Sequence, residues 1–549
     1  MRTVSHRWAF VRSAGSVMLL FVSLTAIMTW PQLRVIGTDA LDDQDVYFNL
    51  WRLRWIAHAL ATSGGTLFDA NIFVPEHGVL AYSDAMLVEG VIAAPLLWLG
   101  VPPVLVHNLM LLGAIAASGM AAFFLARHLT RSAASAVVAG VIFAFAPYRF
   151  AHYAHLELQW VVWSPCAFWA LQRTLEARSI RFGLLTGLFL ALQMLSSVYY
   201  GVFLSVLIVT VALPQLISLH GRQLVRTGAA LALGLALAAC VSVIYARPYA
   251  DAAARVGLRS TPEVSAFSAR PGDYRIATRT NVLYGRPEAG SHERQLFPGI
   301  LPPVLAVVGL LLLPPTIPVI AYLIGLVMAF ELSLGAHGQL YPVLYEHFSV
   351  FRGLRAPARA SVFVLLFLGV LAAYGTAALT SPMKLSIRRA VAVVVCVIVL
   401  LEYRVGALPL VPYPNTPPRL YVLLAKLPPG IVAEFPMPRP SSTPYHDPRF
   451  AYMSTFHWQR LVNGYSGFYP PSYLARLKRV ARFPDEESVA SLRREHVKYI
   501  VVHDDGYPEG ERLRIVDRLE TLGLRHLAEY DDGWGRGTVM EMNVPVNTP

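Results

Sequence analysis

Apolar runs of roughly bilayer length recur from the N-terminus to about residue 403 and then stop, which limits the fold more than any other feature of the chain. Only 15% of the residues are charged and 55% are hydrophobic, against about 25% charged in a typical soluble domain. Lipid is therefore the expected solvent for most of the chain. Candidate spans fall near residues 15–36, 103–126, 133–147, 156–172, 182–198, 200–218, 228–245, 298–313, 316–333, 361–380 and 388–403, about eleven in all. The run from Val88 to Leu99 is too short to cross and carries Glu89, so an interfacial or re-entrant helix is expected there.

The net charge of +12 does not point to nucleic acid, because the arginines flank the apolar runs, where they anchor and orient helices. Arg2, Arg7 and Arg12 precede the first run, and no small-residue cleavage site follows it, which predicts an uncleaved span with the N-terminus inside. The inner loops then collect Arg127 and Arg131, Arg173, Arg178 and Arg181, Arg222 and Arg226, and Lys384, Arg388 and Arg389, with Glu176 as the sole inner acid. By contrast, Asp39, Asp42, Asp43, Asp45, Asp69, Glu76, Asp84 and Glu89 fall in the first outer loop. An odd number of spans places the C-terminal region outside. Cys166, Cys240 and Cys396 all lie in candidate spans, so no disulfide framework is implied.

Three regions follow from this reading: a helical membrane domain over 1–403 with an acidic outer loop at 37–102, a Pro-rich linker at 404–418, and an extracytoplasmic domain over 419–549. Within the last, Gly430 to Phe435 and Val497 to His503 read as buried strands. A helix near Glu509 to Leu522 and a strand near Thr538 to Met542 complete a small α/β domain. Long outer loops with helices of their own suggest chemistry at the outer membrane face.

From Asp45 onward, Val46, Leu50, Leu53, Ala57 and Leu60 form one apolar stripe while Asp45, Asn49 and Arg52 share a polar face, the pattern of an interfacial amphipathic helix. Asp42, Asp43 and Asp45 crowd its N-terminal end. One of them could serve as general base or metal ligand, or they could cap the helix and complement its dipole. Glu76 and Asp84 could support that site or be solvated turn residues. Phe351-Arg-Gly-Leu-Arg-Ala-Pro-Ala-Arg sets Arg352 and Arg355 before a helix expected to start at Pro357, with Arg359 one turn in. These guanidinium forks could hold a lipid phosphate, with Arg149 as a further anion contact, or could anchor a span at the interface. His152, His155 and Glu157 lie close in sequence, but an H-x-x-H pair without a third partner is a weak metal signal. The aromatic segment Thr455 to Tyr473 reads as packing, with sugar contact as the rival.

Several blocks resemble bacterial membrane proteins of the GT-C glycosyltransferase superfamily. They are Asp45-Val-Tyr-Phe-Asn-Leu-Trp-Arg-Leu-Arg-Trp, Leu67-Phe-Asp-Ala-Asn-Ile-Phe-Val-Pro-Glu, Leu80-Ala-Tyr-Ser-Asp, Ser196-Ser-Val-Tyr-Tyr-Gly, the Phe351 block and Leu461-Val-Asn-Gly-Tyr-Ser-Gly-Phe-Tyr-Pro-Pro-Ser. The resemblance implies a catalytic aspartate in the first outer loop, a polyprenyl-phosphate sugar donor, a glycan, lipid or protein acceptor, and inversion at the anomeric carbon. By motif position the aspartate maps onto Asp45, with Asp43 as the rival, and a divalent cation in the first loop is compatible with it. A transporter or flippase of lipid-linked saccharide and a non-catalytic scaffold are the competing functions.

Overall fold

The computed structural model describes residues 2–62, 67–288, 290–442, 444–531, 533 and 535–543, with side chains from residue 14 onward. The side chains of Arg2, Arg7 and Arg12, and residues 544–549 of the expected C-terminal domain, lie outside the described residues. The chain is mostly helical and divides into two compact units. One holds Met1–Val35, Leu109–Ala246 and Leu258–Pro409; the other holds Ile36–Asn108, Arg247–Gly257 and Leu410–Pro549.

The first unit is built from apolar helices. Among the described residues, six helices of the chain are long and apolar enough to cross a membrane: Pro103–Thr130, Ala133–Ala151, Val198–Ile217, Gly221–Val256, Ile317–His337 and Pro357–Thr380. The other expected spans fall on shorter or more polar helices. These include Ile180–Ser196, Leu301–Leu312, Trp163–Ala177 and Leu385–Glu402, the last with two arginines and a glutamate. Val209, Leu213, Leu311, Val327, Val393 and Val397 stay exposed on these helices, as lipid-facing side chains do. The protein is a multi-pass membrane protein.

Small residues set the closest approaches in this unit. A Cβ on Gly187 would lie 1.8 Å from the Gly234 carbonyl oxygen, and one on Gly183 would lie 2.0 Å from that of Ala230. The Gly183-x-x-x-Gly187 spacing puts both glycines on one face of the Ile180–Ser196 helix, so its backbone meets that of Gly221–Val256 directly.

In the second unit, β1 (Asp39–Leu41) pairs antiparallel with β2 (Leu410–Pro412). The proline-rich stretch is therefore extended, as expected, and it is also fastened to the first loop: Tyr413 and Asn415 follow it, and Asn415 Nδ2 donates to the Gly37 carbonyl at 2.8 Å. A mixed sheet has the order β4-β3-β5-β7-β6. Its strands are β3 (Ile431–Phe435), β4 (Arg460–Leu461), β5 (Val497–His503), β6 (Arg525–Asp531) and β7 (Arg536–Glu541). β3 runs parallel to β4 and β5, while β7 is antiparallel to β5 and β6. Ala433, Ile500, Val502, Leu519 and Met540 share one apolar core beneath it.

The helix α2 (Gln44–Ala61) departs from the amphipathic expectation. Val46, Leu50, Leu53 and Ala57 are buried as predicted, yet Phe48, Trp51, Asn49 and Arg52 are buried as well, and Leu60 is exposed. The polar face therefore turns inward, and α2 is a core helix of its unit rather than a raft with one wet side. It packs on α3 (Leu87–Trp98), the short apolar run expected to lie at the interface. Val91, Ile92 and Trp98 keep α3 apolar outside, while Glu89 is fully buried.

Candidate functional site

Asp43 is the N-cap of α2: its backbone is extended and its Oδ1 accepts from the Asp45 backbone N–H at 2.9 Å. The Tyr413 hydroxyl donates to the Leu41 carbonyl at 2.7 Å and fixes the strand leading into this cap. With Asp43 engaged in capping, Asp45 stands in the first turn with its carboxylate half-buried, where the positive end of the helix dipole favours an anion. The Tyr465 hydroxyl donates to Asp45 Oδ1 at 2.9 Å. Burial, then the Asp45 carboxylate, push the Tyr465 hydroxyl well above the ordinary tyrosine range, so it remains the donor.

The motif residues around this pair explain one another. Gly464, just before Tyr465, has the Phe73 ring where a Cβ would stand, at 2.6 Å. Any larger residue would push Tyr465 away from its place, and Tyr465 also meets the Phe48 ring edge to face at 5.2 Å. Asn71 accepts from Trp51 Nε1 at 3.1 Å and donates to Ser454 Oγ at 2.9 Å, joining the first-loop blocks to the C-terminal one. Glu76 accepts from Ser472 Oγ at 2.6 Å and from the Tyr82 hydroxyl at 3.4 Å; burial and then Glu76 push Tyr82 up to about 12. Arg52 donates to Asn49 Oδ1 and to the Asp84 carbonyl, so Asn49, Arg52 and Asp84 brace α2 from within.

In the other unit the predicted arginines separate. Arg359 is buried and gives Nε and Nη2 to Glu293 Oε1 at 3.0 and 2.6 Å. Arg149, in the Pro147–Ala151 helix, is buried and donates Nη1 to the Leu158 carbonyl at 3.4 Å and Nη2 to the Gln159 carbonyl at 3.0 Å, so both ends of its fork are taken. Arg352 donates to the Tyr345 carbonyl at 3.0 Å and the Glu346 carbonyl at 2.6 Å, at the end of the Leu340–His347 helix. Arg355 is different. It is half-buried, its guanidinium stacks on Phe267 at 4.7 Å, and its backbone N–H donates to the Tyr199 hydroxyl at 2.8 Å. Arg259, which the sequence does not flag, lies close enough to feel its charge; burial first, then nearby groups including Arg355, hold Arg259 below the usual range.

Two histidines that sequence spacing leaves without a third partner gain one. His292 joins His152 and His155, with ligand atoms of all three within 4.8 Å of one another. This is the metal-capable group among the described residues, and it is not in the first loop.

No family model matches the chain, and no curated protein does. Among solved structures, the arabinofuranosyltransferase AftD from Mycobacteria superposes with a TM-score of 0.63 at 14% identity, over 98% of this chain and 40% of AftD. The oligosaccharyltransferase of Archaeoglobus fulgidus gives 0.47 at 12% identity, over 89% of this chain and 69% of that one. The chain thus shares the fold of AftD, and it spans less than half the length of AftD.

Proposed function

We propose that the protein is a glycosyltransferase of the outer face of the bacterial plasma membrane, moving a sugar from a polyprenyl-phosphate carrier to an acceptor hydroxyl of a glycan, lipid or protein. The observation that carries this reading is Asp45: a carboxylate at the N-terminal turn of the first-loop helix, held by Tyr465, in a chain of GT-C-like fold. The fold supports the class, and the carboxylate supports the chemistry.

Asp45 accepts the acceptor's hydroxyl proton as its oxygen attacks the anomeric carbon. The new C–O bond forms as the bond from that carbon to the carrier phosphate breaks, with inversion, and the polyprenyl phosphate leaves with the electron pair. Proton transfer to a carboxylate comes late in such a step, so positioning and electrostatics supply most of the acceleration. Arg355, with Arg259 near it, is the candidate for the phosphate, because its fork is not spent on a carboxylate or carbonyl among the described residues. Arg352, Arg359 and Arg149 act on local structure instead.

Comparing envelope glycans from wild-type and deletion strains tests this reading. Loss of one glycosidic linkage, with its lipid-linked donor accumulating, is the expected result. An unchanged glycan profile would refute it, and accumulation of donor on the inner leaflet alone would favour a flippase.

A further inference from the structure

The three histidines named above come from two distant stretches of sequence. His152 and His155 lie between the short helices Pro147–Ala151 and Leu156–Gln159, and His292 opens the short His292–Arg294 turn. Their ring centroids form a near-equilateral triangle with sides of 5.2, 5.3 and 5.4 Å. Three imidazoles sharing one tetrahedral ion, with metal–nitrogen bonds of about 2.0–2.1 Å, put their centroids about 5 Å apart, so the triangle already has ligand dimensions.

His152 supplies the second observation. It is fully buried, and neither of its ring nitrogens has a hydrogen-bond partner among the described residues, an arrangement that is unfavourable unless something else occupies it. Glu293 Oε2 lies 3.7 Å from His152 Nε2 and has no hydrogen-bond partner among the described residues, while Oε1 of the same carboxylate is taken by Arg359. Arg359 thus aims the carboxylate, as the outer hydrogen-bond partners of a metal site aim its ligands.

We propose that His152, His155 and His292 bind one late first-row divalent ion of the zinc class, with Glu293 Oε2 at the edge of the site. Imidazole ligands favour such ions over magnesium or calcium, which take oxygen. His152 is buried, His155 half-buried and His292 exposed, so the site opens on the His292 side and leaves a coordination position for water or an anionic oxygen. This assignment does not depend on the glycosyltransferase reading.

The test uses the full-length protein in nanodiscs, stripped with chelator, then titrated with Zn²⁺ and Co²⁺. Elemental analysis should find about one equivalent of zinc, the cobalt form should show the visible absorption of a tetrahedral site, and excess Mg²⁺ or Ca²⁺ should not compete. His292→Asn, which changes an exposed side chain, and His155→Asn should each weaken zinc binding at least tenfold, whereas His77→Asn, at an exposed histidine of the other unit, should not. Less than a tenth of an equivalent in the wild type, displacement by magnesium, or unchanged affinity in His292→Asn would overturn the assignment.

Discussion

The Tyr465 hydroxyl donates a 2.9 Å hydrogen bond to Asp45 Oδ1, joining residues 420 positions apart in sequence. The bond orients the carboxylate proposed as the general base. Asp45→Asn should lower sugar transfer at least about a hundredfold, because a positioned general base contributes about 10²–10⁴. Tyr465→Phe keeps the ring against Phe48 and removes only the donor, so a loss of about tenfold in kcat with KM unchanged is expected. Transfer kinetics in membrane vesicles, normalised to inserted protein, check both.

Arg355 and Arg359 should fail in different ways. Arg359→Ala strands the Glu293 carboxylate, which burial would raise but which Arg359 and then His152 hold well below its usual range. A loss of about 3–5 kcal/mol is the usual result of breaking a buried pair on one side. Arg355→Ala should leave thermal unfolding in detergent unchanged and raise the donor KM, with Arg355→Lys restoring some of the lost affinity.

Asp447 gives the second unit a pH dependence. Burial, the largest influence, outweighs hydrogen bonds from Tyr473 and Asn463 and raises its carboxyl to about 6, from 3.8. The folded state then binds more protons than the unfolded one between those values, so stability falls as pH rises from about 4 to 6 and stays low above. The contribution is on the order of 3 kcal/mol at about 1.4 kcal/mol per pH unit. Asp447→Asn should flatten this slope, as measured by denaturant unfolding across that range.

Gly187 should tolerate no side chain. A methyl group there meets the Gly234 carbonyl, a backbone atom that cannot rotate away, so Gly187→Ala must push the two helices apart and should cost about 1–3 kcal/mol. Gly228→Ala, where a Cβ meets nothing within 4 Å, is the control for detergent-solubilised melting.

Hydropathy made the apolar helices legible, and the strands β3, β5 and β7 were legible because each contains a short apolar run. β4 and β6 escaped: β4 is two residues long, and β6 carries Arg525, Glu529 and Asp531 on an exposed edge. The inward turn of Asn49 and Arg52 could not be read, because periodicity reports that a polar face exists and not that a carbonyl such as that of Asp84 awaits it. Asp43 as a cap was legible from residue type and position. Tyr465 and His292 were not, since their partners lie hundreds or more than a hundred residues away; the glycine before Tyr465 was the only local signal.

Asp45 as the base is tested most directly by complementing a deletion strain with Asp45→Asn, scored by envelope glycan analysis, with membrane insertion verified by immunoblot. The variant should insert at the wild-type level and restore none of the lost glycan. Full restoration by Asp45→Asn would contradict this assignment.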